Sequence, residues 1–391
     1  MAQVRVVVGT KKGAFIYASD EQRQHWEQSE PILPGWTIYN AAADVRSDPP
    51  RVYLAANHWA WGPSVAKSTD LQEWDWVSKG LAFPKDLGIA VQNVWTVQPG
   101  HESEPGVVYA GTQPAGLFRS EDWGHTWSSV DSVNSHPYRR YWFPSGGGES
   151  CLHSIIIDPR DPRHMYIAIS SGGTYQTRDG GDTWELCSRK WDVLATPETR
   201  QFMADQEEQF KEAIGAFTAN LPQLPENVDP AAADEMHKLA IDTKNPDRLW
   251  TQTHVGVFRS DDGSATWQGV TEGLPSFHGF PIAVSRRAPD STYVVPLEFE
   301  RDNFRVCGGQ FAVYRTRDEG KHWEKLTNGL PGPGNYQSVY REGLATDGLD
   351  PEGVYAGTSN GMVYASADGG DHWQALPGML PPVLSVTCAV W

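Results

Sequence analysis

The stretch RSEDWGHTW, residues 119–127, holds a serine, an aspartate, a glycine and a tryptophan at fixed offsets. Three other segments carry a serine or threonine, an aspartate two residues later, a glycine after two more and a tryptophan after a further three. They are TRDGGDTW (177–184), TRDEGKHW (316–323) and SADGGDHW (366–373). A fourth, SDDGSATW (260–267), has Ser264 at the glycine position, and ASDEQRQHW (18–26) and STDLQEWDW (68–76) are degenerate copies. The motif therefore occurs seven times.

The spacing of these copies indicates the architecture. The repeat aspartates are Asp20, Asp70, Asp122, Asp179, Asp262, Asp318 and Asp368, so successive gaps are 50, 52, 57, 83, 56 and 50 residues. A period near 50 residues is typical of propellers and solenoids. Each period also contains alternating strands and a glycine turn before the aspartate, as in GVVYAGTQPAGLFRSED (106–122). Such a unit has the strands of one propeller blade, so the sequence predicts an all-β, seven-bladed β-propeller.

The repeated motif resembles the Asp-box, or bacterial neuraminidase repeat, of the sialidase superfamily, and the resemblance covers nearly the whole chain. It implies that each Asp-box joins the third and fourth strands of a blade, on the face opposite the active site. The chain departs from the true sialidases, since it has no Arg-Ile-Pro motif near its N-terminus and no arginine triad that can be assigned to inner strands. We therefore expect a sialidase-like propeller without sialidase activity.

The two ends of the chain and one long gap complete the predicted organisation of a single domain over residues 1–391. The segment VLSVTCAVW (383–391) resembles an innermost strand and VRVVVGT (4–10) a second strand, so the C-terminal strand should close blade one. The long gap predicts a helical insertion over 188–235, between blades four and five. Within it, Thr196 as N-cap and Pro197 at the first helical position start a helix over 196–221. Four apolar residues fall near one face of this helix, which could serve as a lid at the mouth: Phe202, Phe210, Ile214 and Phe217.

Composition excludes several classes of partner. The formal net charge of -17 repels nucleic acid and anionic membrane surfaces. The sequence has neither an apolar run long enough to span a membrane nor an N-terminal signal-peptide pattern, which predicts a cytoplasmic location. Its four cysteines form no CxxC pair, so we expect free thiols.

Counting from each Asp-box locates the loops at the mouth of the propeller. Four histidines lie at mouth positions on blades two, four and five: His58, His153, His237 and His254. Imidazoles that converge from different strands can bind a divalent metal ion, here expected to be zinc, iron or manganese. The alternative is that they are separate polar residues lining a hydrated funnel.

The same counting gives catalytic and substrate-binding candidates. The catalytic candidates are Glu298 or Glu342 as general base, Arg341, which with its neighbours resembles part of a sialidase site, and Glu149. The substrate-binding candidates are Trp59, Trp61 and Trp95 as a stacking platform, with Asn40 and Gln113. Cys151 and His153 also suggest a nucleophile and its base, although a buried structural cysteine is the favoured interpretation.

Three function classes follow from these residues. The favoured one is a metal-assisted hydrolase or lyase that acts on a small polar or carbohydrate-like substrate at the mouth. The first alternative is a metal-free, sialidase-like glycoside hydrolase with paired carboxylates. The second is a propeller that binds or assembles without catalysis, which the fold alone does not exclude.

Overall fold

A computed structural model describes residues 3–144, 148–205, 224–288, 290–299 and 305–391. In this part of the chain the strands form seven four-stranded antiparallel sheets, each a propeller blade. The predicted all-β, seven-bladed propeller is therefore confirmed.

The blades follow one another along the chain, each with its inner strand first except in blade one. Blade one contains β1 (Val4–Thr10), β2 (Gly13–Ser19), β3 (Glu27–Gln28) and the C-terminal β28 (Val383–Val390). Blade two contains β4 (Thr37–Asp44), β5 (Arg51–His58), β6 (Gly62–Ser68) and β7 (Asp75–Val77). Blade three contains β8 (Asn93–Pro99), β9 (Val108–Gln113), β10 (Gly116–Ser120) and β11 (Ser128–Ser129). Blade four contains β12 (Leu152–Ile157), β13 (Met165–Ile169), β14 (Gly173–Thr177) and β15 (Glu185–Leu186).

The remaining blades have the same order. Blade five contains β16 (Met236–Ile241), β17 (Leu249–Thr253), β18 (Gly256–Ser260) and β19 (Gln268–Gly269). Blade six contains β20 (Gly279–Val284), β21 (Thr292–Pro296), β22 (Val313–Thr316) and β23 (Glu324–Leu326). Blade seven contains β24 (Leu344–Thr346), β25 (Val354–Gly357), β26 (Val363–Ser366) and β27 (Gln374–Ala375). Short helices α1 (Asp131–Asn134) and α2 (Trp191–Leu194) and four 3-10 turns (Lys85–Leu87, Pro137–Tyr141, Pro230–Ala233 and Cys307–Gly309) lie in the described connections.

Blade one joins the two ends of the chain, as predicted. β28 is its inner strand and pairs antiparallel with β1, from Val4 opposite Val390 to Thr10 opposite Val383. The Arg5 guanidinium lies 4.4 Å from the centre of the Trp391 ring and its Nη1 donates to the Trp391 carbonyl. The ring of blades is thus closed by strand pairing rather than by packing alone.

Each Asp-box is a turn between the third and fourth strands, stabilised by its own side chains. In the copy after β10, the Asp122 carboxylate accepts hydrogen bonds from the backbone N–H and the hydroxyl of Thr126, and Ser120 Oγ accepts one from the Gly124 N–H. Gly124 has a φ of 79°, and Ser264 holds the same left-handed conformation at its position in blade five, with φ 74°. The Asp-box therefore has a structural role: its side chains stabilise the turn between the third and fourth strands.

The closing tryptophan of the box fills the seam between two blades. Trp127, from blade three, packs in one buried cluster with Tyr53 and Val65 of blade two and with Phe118 of its own blade. Trp373 occupies the corresponding seam between blades six and seven. The hydrophobic core is thus divided among the seams, and the space along the axis is left for other side chains.

The axis holds a cavity of about 660 Å³, lined by the inner strands of all seven blades.

The described part of the helical insertion ends, along the chain, just before β16. Its helix, called here the insertion helix, covers residues 197–205, and the Thr196 hydroxyl accepts a hydrogen bond from the Thr199 N–H, as expected for an N-cap. The predicted continuation with Phe210, Ile214 and Phe217 lies outside the described residues. None of the helices in the described part of the chain is long and apolar enough to cross a membrane.

Candidate functional site

A β-bulge recurs near the mouth end of the inner strands. In β16, Met236 and Lys238 pair with consecutive residues of β17, so His237 is the extra residue between them. In β12 the extra residue is His153, and in β8 it is Trp95. The registers of β4 and β20 shift over Tyr39 and Asn40 and over Phe280 and Pro281. Because a bulge re-aims a side chain out of the normal alternation, these positions supply the side chains of the mouth.

Four of these bulge side chains form a chain of contacts around Arg341. Tyr39 and Trp95 stack with ring centroids 4.4 Å apart. The Arg341 guanidinium lies 6.0 Å from the Trp95 ring centroid and 5.8 Å from that of Phe280, and its Nε donates a hydrogen bond to the His237 carbonyl. Phe280 in turn stacks on the His237 ring at 4.5 Å. Predicted candidates Arg341, Trp95 and His237 are thus neighbours.

Three histidines meet beside this chain of contacts. His237 on β16, His254 just after β17 and His278 just before β20 each offer a ring nitrogen, and these atoms all lie within 4.8 Å of one another. The three rings are mutually edge-on, with centroids 5.1 to 5.6 Å apart. This His triad, as it is called below, could hold a metal ion.

Two of the triad rings have an oxygen atom close to Nδ1. His237 Nδ1 lies 2.6 Å from the carbonyl oxygen of Gly279. His254 Nδ1 lies 2.8 Å from a carboxylate oxygen of Glu235, and both side chains are about 30% exposed. Burial lowers the pKa of His237 well below its ordinary value and that of His278 to about 3, so both imidazoles are neutral at physiological pH. Neutral imidazole is the form that binds metals.

Phenylalanine rings cover the triad on the outside. Phe299 lies with its ring centroid 5.1 Å from both His254 and His278, and Phe277 packs against Phe299 at 5.4 Å. Phe202 of the insertion helix contacts Phe277 at 5.7 Å and Phe299 at 5.6 Å. The insertion helix therefore packs against the phenylalanines that contact the triad.

The triad differs from the set of four histidines expected from the sequence. His153 is fully buried, with Nδ1 2.9 Å from Ser154 Oγ and Nε2 3.1 Å from the Met236 carbonyl, so it ties blade four to blade five. His58 lies at the end of β5, where its Nδ1 accepts from the backbone N–H of Ala60 and of Trp61. Neither belongs to the group of ligand atoms at the triad, because each ring is engaged in its own blade or seam.

The predicted carboxylates lie at separate places. Glu342 lines the axial cavity and forms an ion pair with Lys238, while its buried Oε1 has no hydrogen-bond partner among the described residues. Glu298 lies in the loop after β21, where hydrogen bonds from Arg305 and from the Gly308 N–H lower the pKa of its carboxyl. Glu149 is exposed, at a smaller cavity of about 400 Å³ between blades three and four. The structure does not bring these three carboxylates into one cluster.

Asn40 and Gln113 join neighbouring blades and loops. Asn40 Oδ1 accepts a hydrogen bond from the Val97 N–H of the next blade. The Gln113 side chain accepts from Asn93 and donates to the Glu149 carbonyl. Cys151, the alternative nucleophile, is buried, and burial raises the pKa of its thiol, which disfavours the thiolate. All three fit structural roles.

A second aromatic group lies on blade two, and it contains two of the three predicted platform residues. Trp59 is 93% exposed and Trp61 is 65% exposed, and both rings lie beside that of His58. Trp76 on β7 and Trp36, before β4, pack against this group. Tyr39 and Trp95 form a separate stack on the inner strands of blades two and three. The two aromatic groups are together called the aromatic track below.

Sequence reasoning missed His278 and Glu235. His278 directly precedes β20, where the repeat places the loops of the mouth, so counting every histidine in such loops finds it. Glu235 precedes β16 at the position that His278 holds before β20. Its contact with His254 depends on how the two strands of blade five pair, which the repeat spacing does not report.

Comparison with known proteins finds distant similarity in sequence to xyloglucanases. No model of a known protein family matches the sequence. The chain is 24% identical over 272 residues to the oligoxyloglucan-reducing end-specific xyloglucanase of Emericella nidulans, which covers 62% of this chain and 29% of that protein. It is 22% identical over 275 residues to the xyloglucanase Xgh74A of Acetivibrio thermocellus, which covers 64% of this chain and 28% of that protein. The chain therefore spans less than a third of the length of these curated relatives.

Solved structures share the fold. An ancestral GH74 enzyme superposes with a TM-score of 0.55 at 16% identity, over 86% of this chain and 38% of that one. YCF48 from Cyanidioschyzon merolae superposes with a TM-score of 0.52 at 14% identity, over 88% of this chain and 86% of that one. The resemblance to Asp-box propellers is thus confirmed in its coarser form: the chain is a seven-bladed β-propeller, distantly similar in sequence to xyloglucanases and in fold to a GH74 enzyme and to YCF48.

Proposed function

We propose that this propeller binds an oligosaccharide along the aromatic track that leads to the mouth. The observation that carries the proposal is the exposure of the Trp59 and Trp61 indoles, which are 93% and 65% exposed in a loop of the mouth face. Two large apolar rings exposed in one short loop are unusual on a protein surface and are typical of a binding site. Indole faces pack well against the C–H faces of sugar rings.

The chemistry farther along the track also favours a polar, uncharged ligand. A net charge of -17 disfavours anionic polymers. Farther in, Glu342 lines the axial cavity, where a carboxylate can accept a hydrogen bond from a sugar hydroxyl. The names of the similar xyloglucanases support a glucan of that kind as the ligand.

Binding is better supported than hydrolysis by two carboxylates. Glycoside hydrolases of that type need one protonated carboxylic acid beside one carboxylate. Here Glu342 is paired with Lys238, and Arg305 holds Glu298 ionised in a different loop. The two side chains lie at different places, Glu342 at the axial cavity and Glu298 in the loop after β21.

The test is a calorimetric titration with xyloglucan oligosaccharides. We expect saturable binding by the unmodified protein and a loss of roughly two- to tenfold in affinity for each of Trp59→Ala and Trp61→Ala, since one aromatic contact contributes about 0.5–1.5 kcal/mol. His125→Ala, an exposed change in the Asp-box turn at the opposite end of the strands, is the control. Equal affinity in all four proteins would contradict the proposal, as would the absence of binding by the unmodified protein.

A second candidate is metal-assisted chemistry, a hydrolase or a lyase reaction with zinc, iron or manganese, and the observation that favours it is the His triad. A divalent ion can activate water or hold a substrate carboxylate for proton abstraction. Release of reducing ends or of unsaturated sugars, measured with and without a chelator, distinguishes this candidate from binding alone. Turnover that a chelator abolishes and that one metal restores supports it, and product formation that ignores the chelator argues against it.

A further inference from the structure

The His triad has a donor set that discriminates between metals. His237 and His254 come from blade five and His278 from the start of blade six, and their ligand atoms lie within 4.8 Å of one another. Small movements of side chains bring three atoms at such separations around an ion whose bonds to nitrogen are about 2.0–2.1 Å long. Three imidazoles suit zinc, whereas magnesium and calcium take oxygen ligands.

The contacts behind the rings are those of a metal site. The bond from His237 Nδ1 to the Gly279 carbonyl requires a proton on Nδ1 and leaves the lone pair of the neutral ring on Nε2. Glu235 places a carboxylate oxygen 2.8 Å from His254 Nδ1, so a negative charge lies behind that ring as well. A carboxylate or a backbone carbonyl behind each ligating histidine is the usual means by which proteins fix the ring and its tautomer.

His153 shows what a structural histidine looks like in the same fold. It is the bulge residue of β12, equivalent to His237 of β16, yet both of its nitrogens lie within hydrogen-bond distance of protein oxygens. Among the described residues it belongs to no group of three or more possible metal ligands. The bulge alone therefore does not gather histidines, and the triad needs a separate explanation.

We propose that His237, His254 and His278 bind one zinc ion in an open site, with Glu235 as the positioning residue behind His254. This inference deepens the metal-assisted candidate and rests on the same triad, but it does not depend on the oligosaccharide. Three protein ligands leave a coordination position for water or a substrate oxygen, as in catalytic rather than structural zinc sites. The phenylalanines Phe277, Phe280 and Phe299 enclose the site and limit the access of water.

Metal content measured on purified protein tests the site. We expect about one zinc per chain after loading of chelator-treated protein and removal of excess metal. His254→Ala, the least buried triad change, should abolish this stoichiometry, whereas His58→Ala and His101→Ala should retain it. Circular dichroism of each variant shows whether the fold is intact. A folded, unmodified protein that takes up no zinc, or a folded His254→Ala that keeps the full amount, would overturn the proposal.

Glu235→Gln tests the positioning role. The amide is isosteric but loses the charge, so we expect zinc affinity to fall by about 10- to 100-fold. The ligand-field spectrum of the cobalt-substituted protein should change, while the thermal midpoint of the metal-free protein stays close to that of the unmodified one. An unchanged affinity and cobalt spectrum would remove Glu235 from the site. Oligosaccharide titration of the metal-free protein tests oligosaccharide binding separately from zinc binding. Either proposal can therefore fail while the other holds.

Discussion

Arg341, at the start of blade seven, donates a hydrogen bond from Nε to the carbonyl oxygen of His237 on the inner strand of blade five. The bond passes beside blade six, whose Phe280 lies next to the same guanidinium. Hydrogen bonds made by charged groups contribute about 1.5–3 kcal/mol. This single side chain therefore links three blades at the mouth.

We expect Arg341→Ala to lower the free energy of unfolding by about 2 kcal/mol and to weaken oligosaccharide binding as Trp95 and Phe280 lose their common neighbour. Arg341→Lys should recover little, because an ammonium group lacks the planar fork that packs beside aromatic rings. Urea unfolding and calorimetric titration measure the two effects. Arg163→Ala, on an exposed side chain, is the control, and a lysine variant equal to the unmodified protein would show that charge alone matters.

The insertion helix should depend on Phe202. Its ring is held only partly buried between Phe277 and Phe299, so Phe202→Ala should cost about 1–2 kcal/mol, less than the 3–5 kcal/mol typical of a fully buried phenylalanine. Limited proteolysis should then cut the insertion faster while the blades stay resistant. Val193→Ala, at an exposed position of α2, should leave the rate unchanged. Equal cleavage rates for the two variants would mean that Phe202 does not anchor the helix.

Two glycines in the connection between blades six and seven form a matched pair that tests the seam. Gly329 and Gly334 have φ values of 84° and 86°, but a Cβ on Gly329 would lie 1.9 Å from the Trp373 carbonyl oxygen, whereas one on Gly334 would meet nothing within 4 Å. Both alanine variants incur the cost of the left-handed conformation, about 1–2 kcal/mol. Gly329→Ala adds a collision with the backbone of the Asp-box tryptophan and should unfold at a much lower urea concentration than Gly334→Ala. Equal midpoints would show that the seam can widen at this point.

Acid should weaken the Asp-box turns. Burial opposes ionisation of Asp122, but hydrogen bonds from Thr126 and Ser120 outweigh it and lower the pKa of the carboxyl to about 2, compared with about 3.9 in an unfolded chain. A group with a lowered pKa contributes stability that is complete above about pH 4 and disappears as the pH falls towards 2. Asp122→Asn should therefore be less stable at pH 7 and lose less stability between pH 4 and pH 2. Parallel pH profiles of the two proteins, from chemical unfolding at each pH, would contradict this assignment.

The repeat made the fold predictable. The Asp-box aspartates fix the third turn of every blade, the alternation of residues 4–10 and 383–391 fixes the closure of blade one, and Pro197 after Thr196 fixes the start of the insertion helix. Each of these signals is local in sequence, because a turn, a strand face or a cap is determined by residues a few positions apart.

The site was less predictable because its members are held by contacts between blades. His237 and His254 were found as mouth residues, yet their partner His278 belongs to the next blade, and the expected ligands His58 and His153 are engaged elsewhere. Glu298 and Glu342 both count as mouth residues in the repeat, but they pair with different cations, Arg305 and Lys238. Repeat spacing gives the height of a residue along the axis, and the direction of its side chain depends on the bulges.

The bulges also allow side chains of the mouth to change in evolution without a change in the core. An extra residue in β8, β12 or β16 leaves the pairing of the following residues intact, so the side chain at Trp95, His153 or His237 can be exchanged without turning any core residue outward. A propeller built in this way can acquire a new specificity one position at a time, with little loss of stability at each step. The three bulge residues occupy equivalent positions but have different roles. Trp95 stacks on another ring, His153 ties two blades together, and His237 has the metal-ligand role proposed here.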